Sequence, residues 1–151
     1  MDVSHSRPKA NIRPLSSADY DAVCAVWRAA ELPAKLSGRE ARCAFVAQVE
    51  QFPRTYLGAE LDGRLVGVVL GTHDGRKGWI NRLAVEPNCR RQGIALDLLG
   101  ACERALRAAG IEIVAALVEQ GNEASCRVFE QAGYLTDVPV HYFRKPDRPD
   151  I

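Results

Sequence analysis

The sequence predicts one α/β domain, because two different arrangements of strands follow one another in a chain of single-domain length. The chain has 151 residues, and a domain of this length buries roughly 68–70% of its unfolded surface. Its middle resembles an antiparallel meander, and its second half a strand–helix–strand unit. No repeat or linker interrupts this order. We therefore expect a single domain over 1–151, with loose tails at 1–10 and 146–151.

Composition and charge exclude several classes of protein. The formal net charge is +1, from 20 basic and 19 acidic residues, which gives no reason to expect nucleic acid or an anionic membrane as partner. No apolar run approaches the roughly 18 residues of a membrane span, and the first ten residues lack the apolar core of a secretory signal. Five spread cysteines without C-x-x-C predict reduced thiols that fill a core, and three scattered histidines predict no metal site. We expect a cytoplasmic protein.

Two amphipathic helices are predicted in the first third of the chain. Ser16 is a candidate N-cap, with Asp19 three residues later, and apolar side chains then recur at helical spacing at Tyr20, Val23, Cys24 and Trp27. The S-x-x-E pattern from Ser37 to Glu40 predicts a capping box. A second helix would follow it, with Phe45, Val49 and Phe52 on one face.

The period then changes from helical to extended. TYLGAEL and RLVGVVLG flank Asp62-Gly63, a dipeptide that suits a tight hairpin turn because both residues tolerate positive φ. A polar loop at 72–78 leads to WINRLAV at 79–85, and Pro87 ends that strand. IRPL at 12–15 would add a first strand.

The second half alternates helices and strands. A helix is predicted from Gly93 to Gly110, with a stripe formed by Ile94, Leu98, Cys102, Ala105 and Ala109. IEIVAALV at 111–118 predicts a buried strand. NEASCRVFEQAG predicts a short helix with Asn122 as its N-cap, and VHYFRK at 140–145 a last strand.

The turn before the long helix is a candidate phosphate site. Arg90, Arg91 and Gln92 precede Gly93 where a strand ends and a helix begins. The helix N-terminus offers unpaired amides and the positive end of a dipole, and glycine lets a ligand approach the backbone closely. A solvated surface turn with two arginines is the alternative. Neither the P-loop pattern nor G-x-G-x-x-G occurs, so common nucleotide loops are not supported.

Two motifs in order resemble the GCN5-related N-acetyltransferase (GNAT) family. LAVEPNCRRQGIA contains R-x-x-G-x-A from Arg90 to Ala95, which is similar to the family's acetyl-CoA motif. Asn122 to Tyr134 is similar to the family's later cofactor-contacting helix and the strand after it. The resemblance implies a mixed, mostly antiparallel sheet with helices on both faces and central strands splayed apart for acetyl-CoA.

The resemblance also implies which residues hold the co-substrate. The backbone of Leu83, Ala84 and Val85 would bind the pantetheine arm by strand addition, and an amide near Leu83 would polarise the acetyl carbonyl. The remaining cofactor-binding residues implied by the two motifs are Arg90, Arg91, Gln92, Gly93, Ile94, Ala95, Asn122 and Phe129.

The sequence departs from the family pattern at both proton-transfer positions. Phe129 stands where many relatives carry a tyrosine that acts as general acid, and Trp79 where histone-type members carry a glutamate base. Glu119, at the end of a strand expected to border the thioester, is the candidate base, with a solvated strand-end carboxylate as the alternative. Ordinary loop, surface or core roles are expected for Glu86, His73, Asp74, His141 and Cys126.

The predicted function is transfer of acetyl from acetyl-CoA to an amine by direct attack in a ternary complex. A non-catalytic acetyl-CoA-binding module is the first alternative, since it also fits the missing tyrosine and glutamate. A nucleotide-binding domain with an arginine-rich turn is the second. The acceptor would be an amine-bearing small molecule or peptide, bound in a groove formed by 31–52 and 72–78. A homodimer is left open.

Overall fold

A five-stranded sheet organises the chain in the computed structural model, which describes residues 9–136 and 138–149. The strands are β1 (Asn11–Pro14), β2 (Tyr56–Leu61), β3 (Arg64–His73), β4 (Lys77–Val85) and β5 (Ile113–Ala116). The α-helices are α1 (Tyr20–Ala29), α2 (Arg42–Gln51), α3 (Ile94–Ala108) and α4 (Glu123–Gln131). Strand order is β1-β2-β3-β4-β5, antiparallel except for the parallel pair β4–β5. The predicted mixed, mostly antiparallel sheet is confirmed.

The meander forms where the turn chemistry predicted it. Asp62 and Gly63 have φ values of 51° and 75°, which places both in the left-handed region that a two-residue hairpin turn requires. β2 and β3 pair on either side of that turn, and β3 then pairs with β4 over seven registered positions from Gly67↔Val85 to His73↔Gly78. This hairpin series supplies the rigid frame for β4.

Two hydrophobic cores lie on opposite faces of the sheet. One contains the buried side chains of α3, among them Leu98, Leu99 and Leu106, together with Phe129 of α4. The other contains Val23 and Trp27 of α1 with Phe45 and Val49 of α2. Helices therefore cover both faces, as expected.

A β-bulge interrupts β4 in its middle. Leu70 of β3 pairs with Arg82 and the next residue, Gly71, pairs with Ile80, so Asn81 is the extra residue. A bulge bends its strand and increases the local twist. On the other side of β4, pairing with β5 covers only Lys77 to Ile80 and ends directly before the bulge. The two central strands thus part where β4 bends.

Three local predictions are wrong. Ser37 and Glu40 do not cap α2, which begins at Arg42 after N-cap Ala41, because the Glu40 carboxylate instead accepts from Lys35 N at 2.7 Å. The strand predicted at 111–118 is shorter and less buried: β5 has four residues, and Ile113 is 60% exposed. The segment 140–145 forms no strand and is exposed. Alternating apolar residues do not reveal whether a neighbouring edge is available to pair.

The cysteines are only partly in the core. Cys89 and Cys102 are buried, but Cys43 and Cys126 are exposed. The expectation that Cys126 is a core thiol is therefore wrong, because α4 directs Phe129 to the core and Cys126 to solvent. All five are free thiols.

Candidate active site

The side of β4 that faces away from β3 carries free backbone groups beyond the bulge. Glu86 N donates to Val66 O at 2.8 Å, so its backbone points toward β3. Because alternate residues of a strand point to the same side, Ala84 also faces β3, whereas Leu83 and Val85 face the gap left by β5. Both N–H groups and the Leu83 C=O could pair with an extended ligand, as a further strand would, whereas the Val85 C=O accepts from Arg90 Nε.

The turn after β4 leads these groups to the N-terminus of α3. Arg91 and Gly93 have φ values of 62° and 79°, and α3 begins directly after them at Ile94. The first bond of this helix runs from Asp97 N to Gly93 O at 2.9 Å. The amides of Ile94, Ala95 and Leu96 therefore have no partner within the helix, and glycine offers no side-chain cap.

The charges around the turn favour an anion. Arg90, Arg91 and Gln92 are exposed, and Arg90 Nε donates to Val85 O at 3.2 Å. The nearby carboxylate of Glu86 is not free to repel a phosphate, since it pairs with Arg64 at 2.6 Å and is 14% exposed. The expectation that Glu86 is an ordinary solvent-facing residue is wrong, because this ion pair holds it against the strand end.

The second motif packs beside α3, in the core on that face of the sheet. Asn122 Oδ1 accepts from Ser125 N at 3.2 Å, which confirms it as the N-cap of α4. Phe129 is 8% exposed and meets the Tyr134 ring edge-on at 5.0 Å. Tyr134 donates to Glu103 Oε1 at 2.8 Å. Burial is the main cause that raises the pKa of Tyr134, and the hydrogen bond to Glu103 raises it further. The Tyr134 hydroxyl therefore stays protonated at neutral pH.

Glu119 is exposed and lies three residues beyond the end of β5. Its carboxylate interacts electrostatically with Arg82, the residue that follows the bulge of β4. Burial lowers the pKa of Arg82, while Glu40 and Glu119 oppose that shift. Glu119, beyond the end of β5, and Arg82, beyond the bulge of β4, are therefore close enough to interact.

The remaining candidates have local structural roles. His73 Nδ1 accepts from Gly75 N at 3.1 Å, and the carboxylate of Asp74 accepts from the amides of Arg76 and Lys77, both at 2.8 Å. These two amide bonds lower the pKa of Asp74. His141 is exposed beside Phe143, and the Trp79 ring lies under the Lys77 ammonium at 4.9 Å.

Sequence reasoning missed one group next to the gap. Arg82 is largely buried, with 11% of its side chain exposed, and it contacts Glu40, which is 9% exposed. The signal was present in WINRLAV, where a cation stands at an inward position of an apolar strand. A buried arginine requires partners, and the sequence does not show that they lie in the loop between α1 and α2.

Comparison with known proteins agrees with this geometry. Residues 20–134 match the acetyltransferase (GNAT) family. An acetyltransferase of Pectobacterium atrosepticum is 30% identical over 125 residues, which are 83% of this chain and 87% of the relative. Two solved structures share the fold. The PaiA N-acetyltransferase of Thermoplasma acidophilum in complex with coenzyme A has a TM-score of 0.74 at 18% identity, covering 83% and 89% of the chains. The aminoglycoside N-acetyltransferase AAC(6')-Iy in complex with CoA has a TM-score of 0.71 at 19% identity, covering 93% and 97%.

The family match and the curated relatives identify the class as acyltransferases that use coenzyme A thioesters. This chain belongs to the acetyltransferase (GNAT) family, and acetyl-CoA is its co-substrate. Across residues 9–136 and 138–149, every helix is too short or too polar to cross a membrane.

Proposed function

We propose that this protein transfers acetyl from acetyl-CoA to an amine by direct attack in a ternary complex. The observation that carries the proposal is the parting of β4 from β5 beside the backbone of Leu83 and Val85. A pantetheine arm can pair with these groups as an added strand would. The thioester would then lie at the bulge, where both the amine and a base can reach it.

The turn would hold the pyrophosphate. The amides of Ile94, Ala95 and Leu96 precede the first bonded turn of α3, and the dipole of a helix adds about half a positive charge at this end. Arg90 and Arg91 are exposed beside them and can form charge-assisted hydrogen bonds. Asn122, which caps α4, would contact the co-substrate from the other side of the gap.

The chemistry requires one proton acceptor near the amine. A lysine amine has a pKa of about 10.4, so it arrives protonated and must lose a proton before its lone pair attacks the thioester carbon. The new C–N bond forms, the C–S bond breaks and the thiolate leaves. The nitrogen then loses its second proton, which passes through water to the thiolate, so that the amide and the free thiol result. The Leu83 amide would stabilise the charge that develops on the acetyl oxygen, and Glu119 would accept the amine proton. The thiolate, with a pKa of about 8.5, can leave without a strong acid, which fits phenylalanine at 129.

The acceptor is the open part of the proposal, and a panel of amines tests it. Neamine, a peptide with a free N-terminal alanine, and a peptide whose only amine is a lysine side chain would each be incubated with acetyl-CoA. Released thiol and the mass of the acetylated product would be measured. Acetylated product from at least one amine is expected. Tight acetyl-CoA binding without turnover of any amine would instead favour a non-catalytic binding module.

A further inference from the structure

Arg82 fixes the loop between α1 and α2 against the sheet. Its Nη2 donates to Pro33 O at 2.6 Å and to Leu32 O at 3.4 Å, and its Nη1 donates to Glu40 Oε1 at 3.4 Å. One guanidinium therefore contacts both the beginning and the end of the segment 32–40, which we call the α1–α2 loop. Multiple donors in a fixed plane are the property that distinguishes arginine from lysine.

The same side chain is packed on α1. The Arg82 guanidinium carbon lies 4.4 Å from the centre of the Trp27 ring, within the range of a cation–π contact. Trp27 is 2% exposed, so this contact is desolvated and holds the guanidinium plane in place. Arg82 thus connects β4, α1 and the α1–α2 loop at one point.

Glu40 makes the loop end of this connection rigid. Its carboxylate accepts from Lys35 N at 2.7 Å and from Arg39 Nε at 3.0 Å, besides its contact with Arg82. Its backbone carbonyl accepts from Tyr20 Oη at 2.7 Å. The carboxylate is therefore used for positioning within the fold rather than as a free base.

The anchored loop forms one wall of a cleft next to Arg82, whose guanidinium contacts Trp27 and Pro33 of the lining. The cleft has a volume of about 320 Å³. It lies between α1 and the loop, and its lining includes Trp27, Arg28, Leu32, Pro33 and Leu36. Two carbonyls of this wall, those of Leu32 and Pro33, are the ones that Arg82 holds. On the strand itself, Arg82 immediately precedes Leu83, whose backbone faces the gap.

We infer that Arg82 is a positioning residue that sets the acceptor side of the active site, through the α1–α2 loop, without contacting acetyl-CoA. This inference rests on the proposed function, because it assigns the cleft next to Arg82 to the amine. It locates acceptor specificity in the loop wall and its anchor. Loss of the anchor should therefore weaken acceptor binding and leave co-substrate binding unchanged.

The test compares Arg82→Met with Arg13→Met. Arg13 is the matched control, because it too is a partly buried arginine on a strand. Its partners are the carboxylates of Asp19 and Glu60, and it lies on β1. Hydrogen exchange over 31–41, the acetyl-CoA Kd by calorimetry, and KM and kcat for the best amine of the three-member panel would be measured. Arg82→Met should speed loop exchange at least tenfold and raise the amine KM at least tenfold, with the acetyl-CoA Kd within twofold of wild type. Arg13→Met should lower Tm alone.

Two further variants keep the test decisive if Arg82→Met does not fold. Arg82→Lys retains the charge but not the planar donors, so it should restore the amine KM only in part. Glu40→Gln should speed loop exchange in the same direction. Unchanged loop exchange in these variants, or an equal rise of amine KM in Arg13→Met, would overturn the inference. If wild type acetylates no amine, the proposed function fails, and unchanged acetyl-CoA affinity with faster loop exchange still supports the anchor.

Discussion

Two arginines flank the part of β4 that has no β5 partner, and their surroundings are opposite. Arg82, at the bulge, is largely buried and donates hydrogen bonds to Leu32, Pro33 and Glu40. Arg91, in the turn after the strand, is exposed, and its backbone has a φ of 62°. An arginine with internal partners shapes the protein. One that extends from a turn of unbonded amides is available for a ligand.

The comparison also separates two kinds of specificity. The turn presents backbone amides and charge, which in the proposed function would recognise a phosphate whatever acceptor is used. The Arg82 end is formed by the α1–α2 loop, its cleft and the carboxylates of Glu40 and Glu119. This end can differ between proteins that share the co-substrate. We therefore expect changes at the turn to affect acetyl-CoA binding, and changes near Arg82 to affect the amine.

The largest effect is expected at Glu119, which lies on the Arg82 side. If its carboxylate accepts the amine proton, Glu119→Gln should reduce kcat about a hundredfold, since general bases typically contribute 10²–10⁴-fold. The loss should shrink as pH rises toward the amine pKa. Stopped assays over a pH series would measure this, with calorimetry to verify an unchanged acetyl-CoA Kd.

Glu112→Gln is the matched control, because Glu112 is an exposed carboxylate at the opposite end of β5. It should leave kcat unchanged. A wild-type kcat in Glu119→Gln would show that Glu119 is a solvated strand-end carboxylate. Proton transfer could then not be assigned to the Arg82 side of the site.

The next effect is expected at Gly93. Its φ of 79° disfavours any other residue, although a Cβ there would meet nothing within 4 Å. Gly93→Val should therefore distort the turn and project a side chain toward the bound phosphate. We expect the acetyl-CoA Kd to rise at least tenfold, which is roughly 1.4 kcal/mol, with the circular dichroism spectrum unchanged.

Gly110→Val supplies the control at the other end of the same helix, where φ is 87° and the surroundings are equally open. It should cost similar stability without changing acetyl-CoA affinity. Equal Kd values for wild type and Gly93→Val would exclude the turn as the phosphate site. The contrast between a ligand-binding Arg91 and a structural Arg82 would then have no support.

Phe129 lies outside both arginine sites and tests how the thiolate leaves. Phe129→Tyr keeps the ring that packs on Tyr134 and restores a hydroxyl where relatives carry one. We expect kcat equal to or above that of wild type, measured by thiol release. Phe129→Ala should lose about 3–5 kcal/mol of stability by urea unfolding, as buried phenylalanines do.

A tyrosine variant that binds acetyl-CoA normally but turns over far more slowly than wild type would contradict this account of the leaving group. Its Tm distinguishes that outcome from simple overpacking, because an unfavourable hydroxyl in the core would lower Tm as well as kcat.

The smallest effect concerns a third arginine, which has a structural role only. Arg13 bonds the Asp19 carboxylate and lowers its pKa below the ordinary 3.8. Stability from this pair is present above pH 3.8 and is lost as pH falls through the lowered folded-state value. Asp19→Asn should therefore have a lower Tm than wild type at pH 7, with the gap closing in acid. A gap that is constant with pH would mean that the ion pair contributes nothing.

Local signals in the sequence were sufficient for much of the fold. Asp62-Gly63 determined a hairpin because its backbone preference is intrinsic to the two residues. Asn122 and Gly93 marked helix starts for the same reason. Where a residue's role depends on a distant partner, sequence reasoning failed. Ser37-x-x-Glu40 satisfies a capping pattern, but the Glu40 carboxylate accepts from Lys35 N within its own loop and also contacts Arg82, which is far away in the chain.

The candidate site divides in the same way. The turn before α3 could be located because its residues are contiguous, from Arg90 to Ala95, and its binding of phosphate stays a prediction. The position of the α1–α2 loop could not be predicted, because it depends on a contact between Arg82 and Pro33 across two elements. Likewise, the apolar alternation at 140–145 could not show that the segment is exposed and unpaired.

The bulge at Asn81 has a consequence for how the chain tolerates changes of length. Ile80 packs into the core beside α3, whereas Arg82 lies against Trp27 in the core beside α1. In an uninterrupted strand these two positions would share a face. The extra residue at the bulge instead places Ile80 and Arg82 on opposite faces of the sheet. Asn81 is itself exposed, and many residue types could replace it. Its deletion would make Ile80 and Arg82 consecutive, which keeps them on opposite faces but removes the bend that the bulge gives to β4. The residue type at this position can therefore change, whereas loss of the residue would straighten β4 where it parts from β5.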